Sequence, residues 1–260
     1  MYIWQKRIGE EVDLIFPEIK ERNRNLNILF RAPSGYGKTT AGFICLNYLG
    51  MDNCYYYIPD SDGNIPIIGT ERRFHFIDEI HLVKNPEFLY PLMDSGKYTF
   101  ILASNESGTL KEPLRNRCIQ LIFSKYTREE LNLIVKNCLD KYNLSNEMIE
   151  IIASRVKGNP RIAKIICIRL DIIFSRMGVS ESIDELIFIL DKILYVKENG
   201  ITELDEIYLN YLQKCGGLAG INTLINGTHI DKETILNEIE PNLIELGQII
   251  ITSRGRKHVI

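Results

Sequence analysis

Short apolar runs alternate with turn-rich or helical connections over the first half of the chain. Leu26-Asn27-Ile28-Leu29-Phe30, Cys54-Tyr55-Tyr56-Tyr57-Ile58, Arg73-Phe74-His75-Phe76-Ile77, residues 98–103 and residues 118–123 each read as a strand. Between the first two, Ala41, Ile44, Cys45, Tyr48 and Leu49 recur at the i, i+3, i+4 spacing of a helix packed on a sheet. Strands alternating with helices predict an α/β fold with a parallel sheet. A helix-like stretch at residues 11–21, interrupted by Pro17, leads into it.

From about Ser124 the pattern is helical only, which marks a domain boundary. Thr127-Arg128-Glu129-Glu130 is a capping box, with Leu131, Ile134, Val135, Cys138 and Leu139 as the apolar face behind it. A second helix, residues 145–157, stops at Gly158. Asn159 then acts as N-cap and Pro160 occupies the first turn, so Arg161 projects from the start of a third helix. Ser182-Ile183-Asp184-Glu185 caps a fourth. Four short helices make a lid.

Near Gly200 a further segment begins. Thr202 starts a helix whose Leu204, Ile207, Tyr208, Tyr211 and Leu212 share one face, and Gly216-Gly217 breaks it. Helices at 218–226 and 231–245 follow, the second closed by Gly247. Residues 248–252, a Ser253-Arg254-Gly255-Arg256 turn and residues 257–260 read as a hairpin. Three helices and a basic hairpin predict a winged helix. The division is thus 1–124, 125–198 and 199–260.

Composition narrows the function classes. With 45% hydrophobic and 25% charged residues over 260 positions, the chain can bury a sizeable core. The six cysteines are scattered without C-x-x-C spacing, so neither a metal site nor a disulfide framework is expected. Lys6, Arg7, Glu10, Glu11 and Asp13 exclude a secretory segment, and no apolar run is long enough to span a bilayer. A cytoplasmic protein without a membrane partner is expected. The net charge of −3 argues against a basic coat for indiscriminate nucleic-acid binding, so any DNA contact must be local. The tail supplies it in Arg254, Arg256 and Lys257, with Gly255 letting the turn take positive φ.

The chemistry centres on Arg31-Ala32-Pro33-Ser34-Gly35-Tyr36-Gly37-Lys38-Thr39-Thr40, which has the spacing of a phosphate-binding loop between a strand and a helix. Gly35 and Gly37 let successive N–H groups of residues 34–40 turn toward a polyphosphate. Lys38 reaches the outer phosphates, and Thr39 offers a hydroxyl to magnesium. Ala32 replaces the motif's first glycine, a small and tolerated change. The strand at 73–77 runs into Asp78 and Glu79: Asp78 is assigned to the metal's water shell and Glu79 to polarising the attacking water. His81 serves either as a helix-start residue or as a coupling group. The strand at 98–103 delivers Ser104 and Asn105 to the same edge, where an amide orients that water. Arg115 and Arg117, directly before the last strand, are candidates for an arginine finger acting on a neighbouring subunit's ATP. Trp4 either stacks near an adenine or covers the core.

Taken together, APSGYGKTT, FIDEIH, PLRNR, GNPRIA, GGLAGINTL, IEPNLIELG and SRGR resemble the motifs of the AAA+ ATPases, and most closely those of the RuvB branch-migration motors, in the same order. The resemblance runs from about Leu26 to Arg256. It implies an AAA+ P-loop domain with ATP and Mg2+ as ligands, Asn105 as sensor 1, Arg117 as the trans-acting finger and Arg161 as the lid's sensor 2. Arg115 beside the finger stays open. It also implies a homo-oligomeric, hexameric ring on double-stranded DNA. Two departures stand out: residues 85–94 form only a short helical stretch where the family carries a hairpin that docks its partner RuvA, and the lead-in is abbreviated. A recruiting protein other than RuvA is therefore expected. The functional expectation is an ATPase that translocates on or remodels double-stranded DNA. The alternatives are an ATP switch that assembles on DNA and recruits a partner, and a protein-remodelling ATPase.

Overall fold

The computed structural model describes residues 2–66, 68–105, 110–179 and 182–259. The chain divides into two compact units, the first Met1–Ile134 with Gly158–Arg161, the second Val135–Lys157 with Ile162–Ile260.

In the first unit, helix α1 (Lys6–Lys20) precedes strand β1 (Ile28–Arg31), helix α2 (Lys38–Leu49), β2 (Cys54–Tyr57), β3 (Phe74–Ile77), the short α3 (Tyr90–Asp94), β4 (Thr99–Ser104), α4 (Glu112–Arg115) and β5 (Ile119–Ile122). The five strands pair in parallel in the order β2-β3-β4-β1-β5. Ile28, paired with Ile101 on one side and Ile119 on the other, shows why β1 is central. Buried apolar residues clothe both faces, as a parallel sheet requires. Ile8, Phe16, Ile19, Ala41, Cys45 and Leu46 pack with Phe30, Phe76 and Ile101 on one face, and Ile80, Leu89 and Leu114 pack with Leu29, Phe100 and Leu102 on the other.

Pro17 does not interrupt the lead-in helix. It removes one N–H from the ladder, yet α1 runs through it, because Ile8, Val12, Phe16 and Ile19 form a stripe buried against the sheet that offsets the lost bond. Between β3 and β4, the described residues form 3-10 turns at Ile80–Leu82 and Pro86–Leu89 and then α3, with no β-hairpin.

His75 is fully buried in β3, stacked on Phe100 and on the rings of Tyr55 and Tyr57. Burial depresses its pKa to about 4, against a backbone hydrogen bond that raises it. The unfolded chain therefore takes up a proton near pH 6.5 that the native protein resists. Stability contributed by neutral His75 is complete above pH 6.5, falls as pH drops from there to about 4, and is flat below, a loss on the order of 3 kcal/mol at most. Urea melts of wild type and His75→Phe at pH 7.5 and pH 5 are expected to show a smaller acid loss in the variant. Equal losses would place the titration elsewhere.

The second unit holds the lid helices and the winged helix. The C-terminal end of α5 (Arg128–Cys138), α6 (Asn146–Ser154), most of α7 (Pro160–Met177) and α8 (Ile183–Phe188) precede α9 (Glu203–Lys214). The capping boxes form at Thr127 with Glu130 and at Thr202 with Asp205. Lys157 donates to the fully buried Asp205 at 2.8 Å, Arg155 pairs with Asp191, and Val196 bridges Thr202. The Lys157–Asp205 pair and the Val196–Thr202 bridge cross residue 198 and tie its two sides into one unit.

Residues 218–219 do not begin a helix. They form strand β6 (Leu218–Ala219), which pairs with β8 (Gly255–His258), and the helix α10 (Ile221–Thr228) starts only after them. The expected helix at 231–245 forms but widens in the middle, running as α11 (Lys232–Thr234), a π-turn (Ile235–Ile239) and α12 (Glu240–Glu245). Pro241 is the cause, since it has no N–H to return to the preceding turn. Strand β7 (Ile249–Thr252) completes a sheet of order β6-β8-β7. Tyr208, Leu212, Leu224, Ile235, Ile239, Leu243 and Ile249 are its core. Ile260, expected at the end of the hairpin, lies outside the described residues.

Candidate nucleotide site and winged helix

Because the strands are parallel, their C-terminal ends share one edge of the sheet. The chain leaves β1 for β2 on one side and later crosses to β5 on the other, so the loop after β1 lies at a topological switch point. Gly35 and Gly37 take φ of 87° and 86°. A Cβ on Gly35 would come within 2.6 Å of the Asn159 amide, and one on Gly37 within 2.7 Å of the Tyr2 hydroxyl. Glycine is thus favoured by the positive φ at both positions, and it also leaves room for the Asn159 and Tyr2 side chains to approach the loop. Ala32 is absent from the positive-φ residues, which explains why a methyl group is accepted there.

Lys38 opens α2 and is 5% exposed; its ammonium donates to the carbonyls of Ala32 at 2.7 Å and Pro33 at 3.0 Å. Burial lowers its pKa, while Glu79 and Asp78 act in the opposite direction. Thr39 donates its hydroxyl to Asp78 Oδ2 at 2.7 Å, so the two oxygens assigned to the metal meet. The other Asp78 oxygen accepts the Glu79 N–H at 3.0 Å. Ser34, Tyr36 and Thr40 complete the loop, with Tyr36 buried and Ser34 and Thr40 exposed.

Glu79 adopts φ 49° and ψ 42°, a left-handed conformation costly for a side chain of its size. Its Oε2 lies 3.3 Å from His81 Nδ1, and neither buried atom has a hydrogen-bond partner among the described residues. His81 therefore touches the acid. Asn105 follows β4, and its buried Oδ1 likewise has no partner among the described residues, so an acceptor is open at the sheet edge to which β3 delivers the two acids.

Arg161 is brought to the loop. Its Nη1 donates to Ser34 Oγ at 3.1 Å, its backbone N–H to the capping Asn159 Oδ1 at 2.9 Å, and Asn159 Nδ2 to the Ser34 carbonyl at 3.2 Å. Arg117 points its guanidinium at Asp94 in a two-pronged pair. Arg115 is half-buried, with Nε unpartnered among the described residues.

Three contributors escape a reading of the sequence. The Tyr56 ring leans on Phe43 and Phe76; burial first, then the neighbouring Asp78 carboxylate, raises its pKa. Tyr2 donates to the Gly37 carbonyl at 3.2 Å. Asp94 holds the finger candidate. Tyr2 and Asp94 lie far along the chain from their targets and no spacing rule links them. For Tyr56 the alternation along β2 was a usable signal, since it turns this ring opposite to the buried Tyr57.

In the winged helix the three tail cations separate. Arg254 and Lys257 are exposed. Arg256 is engaged within the domain: its side chain is 14% exposed and pairs with the buried Glu240 at 2.7 and 3.2 Å, to which the Tyr208 hydroxyl also donates. The reason is strand alternation, because Arg256 lies within β8 rather than in the turn and faces the core. Gly255 has φ of 132°, but its close neighbour is the Ala219 carbonyl, 2.4 Å from where a Cβ would stand. Its role is to admit β6.

Comparisons with known proteins agree with this geometry. Residues 198–259 match the RuvB C-terminal winged helix domain. The Holliday junction branch migration complex subunit RuvB of Kosmotoga olearia is 30% identical over 98% of this chain and 84% of its own length. Its counterpart in Granulibacter bethesdensis is 31% identical over 98% and 80%. Among solved structures, the Thermotoga maritima RuvB Holliday junction branch migration motor is similar with a TM-score of 0.78 at 25% identity, covering 99% of this chain and 92% of that one. A point variant of the same protein is similar with a TM-score of 0.80 at 26% identity over the same shares. Among the described residues no helix is long and apolar enough to cross a membrane.

Proposed function

The chain belongs to the RuvB family of AAA+ ATPases, and from that premise we propose that it couples ATP hydrolysis in a ring of identical subunits to movement on, or remodelling of, double-stranded DNA, as branch migration does at Holliday junctions. One observation carries the proposal. Lys38, Thr39, Asp78, Glu79 and Asn105 converge at one sheet edge, in a chain that also carries a winged helix.

Each residue has a role that follows from its chemistry. The loop N–H groups and Lys38 bind the phosphates, which displace the Lys38 ammonium from the Ala32 and Pro33 carbonyls it now caps. The adjoining oxygens of Thr39 and Asp78 suit a hard divalent cation and would hold Mg2+. When bound, such an ion offsets negative charge on the phosphates. Glu79 accepts the proton of the attacking water, and the open Asn105 oxygen orients that water. Arg161 at the loop and Arg117 from a neighbouring subunit stabilise charge that develops in the transition state. The absence of a hairpin among the described residues between β3 and β4 supports recruitment by a protein other than RuvA.

Duplex binding tests the DNA half of the proposal. The Arg254→Ala, Lys257→Ala double variant is expected to bind duplexes more weakly regardless of sequence, and to flatten the slope of log affinity against log salt by roughly 2 units at most. Arg256→Ala is expected instead to lower thermal stability, because removing one partner of a buried pair costs about 3–5 kcal/mol. Fluorescence anisotropy across a salt series gives the answer. An unchanged slope in the double variant would remove the wing from the DNA interface.

A further inference from the structure

Arg117 is held more firmly than a solvated arginine. Its backbone N–H bonds the Leu114 carbonyl, and its own carbonyl accepts the Asn27 amide, whose Oδ1 in turn accepts the Phe100 N–H in β4. The guanidinium is fixed as well. Nε lies 2.9 and 3.1 Å from the two Asp94 oxygens, Nη2 lies 2.9 Å from Oδ2, Nη1 lies 2.9 Å from the Pro113 carbonyl, and the plane sits 4.5 Å over the Tyr90 ring. Tyr90 and Asp94 are four residues apart on α3, so one helical face supplies both the stacking surface and the carboxylate.

We infer that Asp94 is a positioning residue for the finger, setting the Arg117 guanidinium before a neighbouring subunit's ATP reaches it. The inference rests on the reading of Arg117 as that finger. An arginine has five N–H donors, and here one on each terminal nitrogen has no acceptor among the described residues. Those two donors suit phosphate oxygens. The side chain is 30% exposed and therefore reachable, while Asp94 at 55% is wet enough for solvent to screen its charge. Ordering the long side chain within its own subunit spares that loss of freedom at the transition state.

The test is steady-state ATPase of the full chain with duplex DNA, comparing wild type, Asp94→Ala, Asp94→Asn, Asp94→Glu, Arg117→Ala and the Arg117→Ala, Asp94→Ala double variant. Asp94→Ala and the near-isosteric Asp94→Asn are expected to lower kcat on the order of 10- to 100-fold with KM for ATP unchanged, since misplacing a group by an ångström costs that much. Asp94→Glu is expected to recover part of the loss. In the Arg117→Ala background, Asp94→Ala is expected to add nothing, as required of a residue that acts through the finger. Wild-type or faster turnover in both Asp94→Ala and Asp94→Asn would overturn the inference, showing that Asp94 only stows the arginine. A further loss on top of Arg117→Ala would overturn it too. Wild-type turnover in Arg117→Ala itself is a separate result, which would remove the finger reading on which the inference rests.

Discussion

Glu79→Gln is expected to bind ATP as the wild type does and to fail to turn it over. The amide keeps the size of the carboxylate and fits the same left-handed backbone, so the loop, Lys38 and Asp78 are left as they are. What it cannot do is accept a proton from the attacking water. Loss of a positioned general base typically costs about 10²–10⁴-fold in rate. The structure adds a reason to assign this role to Glu79 and not to its neighbour. Both Asp78 oxygens are engaged, one by Thr39 and one by the Glu79 N–H, whereas Glu79 Oε2 has no hydrogen-bond partner among the described residues. Lys38→Ala is expected to differ in kind, losing nucleotide affinity itself. Binding of a fluorescent ATP analogue beside phosphate release separates the two. Hydrolysis by Glu79→Gln at the wild-type rate would reverse the assignment of the acids.

Arg117→Ala is expected to be inactive alone and to poison wild-type protein in mixtures. A finger serves the ATP of the next subunit, so one defective copy silences a site it does not itself contain. Removing such an arginine typically costs on the order of 10³-fold or more in turnover. Activity plotted against the fraction of variant should therefore fall below the straight line joining the two pure proteins. A linear fall would place Arg117 outside a shared site. Thermal melting is expected to change little, because the pair with Asp94 is exposed and screened by solvent.

The parts of the fold that were legible are those where local pattern and tertiary need coincide. Central strands buried on both faces leave continuous apolar runs, and the loop glycines fall where positive φ is needed, so β1, the loop and α2 could be placed from spacing alone. The acids after β3 and the amide after β4 could be placed because a parallel sheet delivers strand ends to one edge. Tertiary packing decided the rest. Pro17 reads as a breaker until its neighbours Phe16 and Ile19 are seen to be buried. Leu218 and Ala219 look helical next to the periodic residues that follow, but β8 captures them as an edge strand. Arg256 looks like a wing cation when the turn is taken to span residues 253–256, two residues longer than the Ser253-Arg254 turn between β7 and β8. Once Gly255 begins the strand, alternation sends Arg256 inward to Glu240 and Lys257 outward. Asp94 has no local signature at all, since its meaning depends on an arginine 23 residues later.

Displacement of streptavidin from biotinylated duplex DNA tests the motor most directly, with Glu79→Gln as the blank. The wild type is expected to clear the block in proportion to the ATP it consumes, and Glu79→Gln to bind the same duplex without clearing it. ATP turnover stimulated by duplex DNA, with no displacement at any extent of hydrolysis, would contradict an ATP-driven motor and leave ATP as a switch for assembly on DNA.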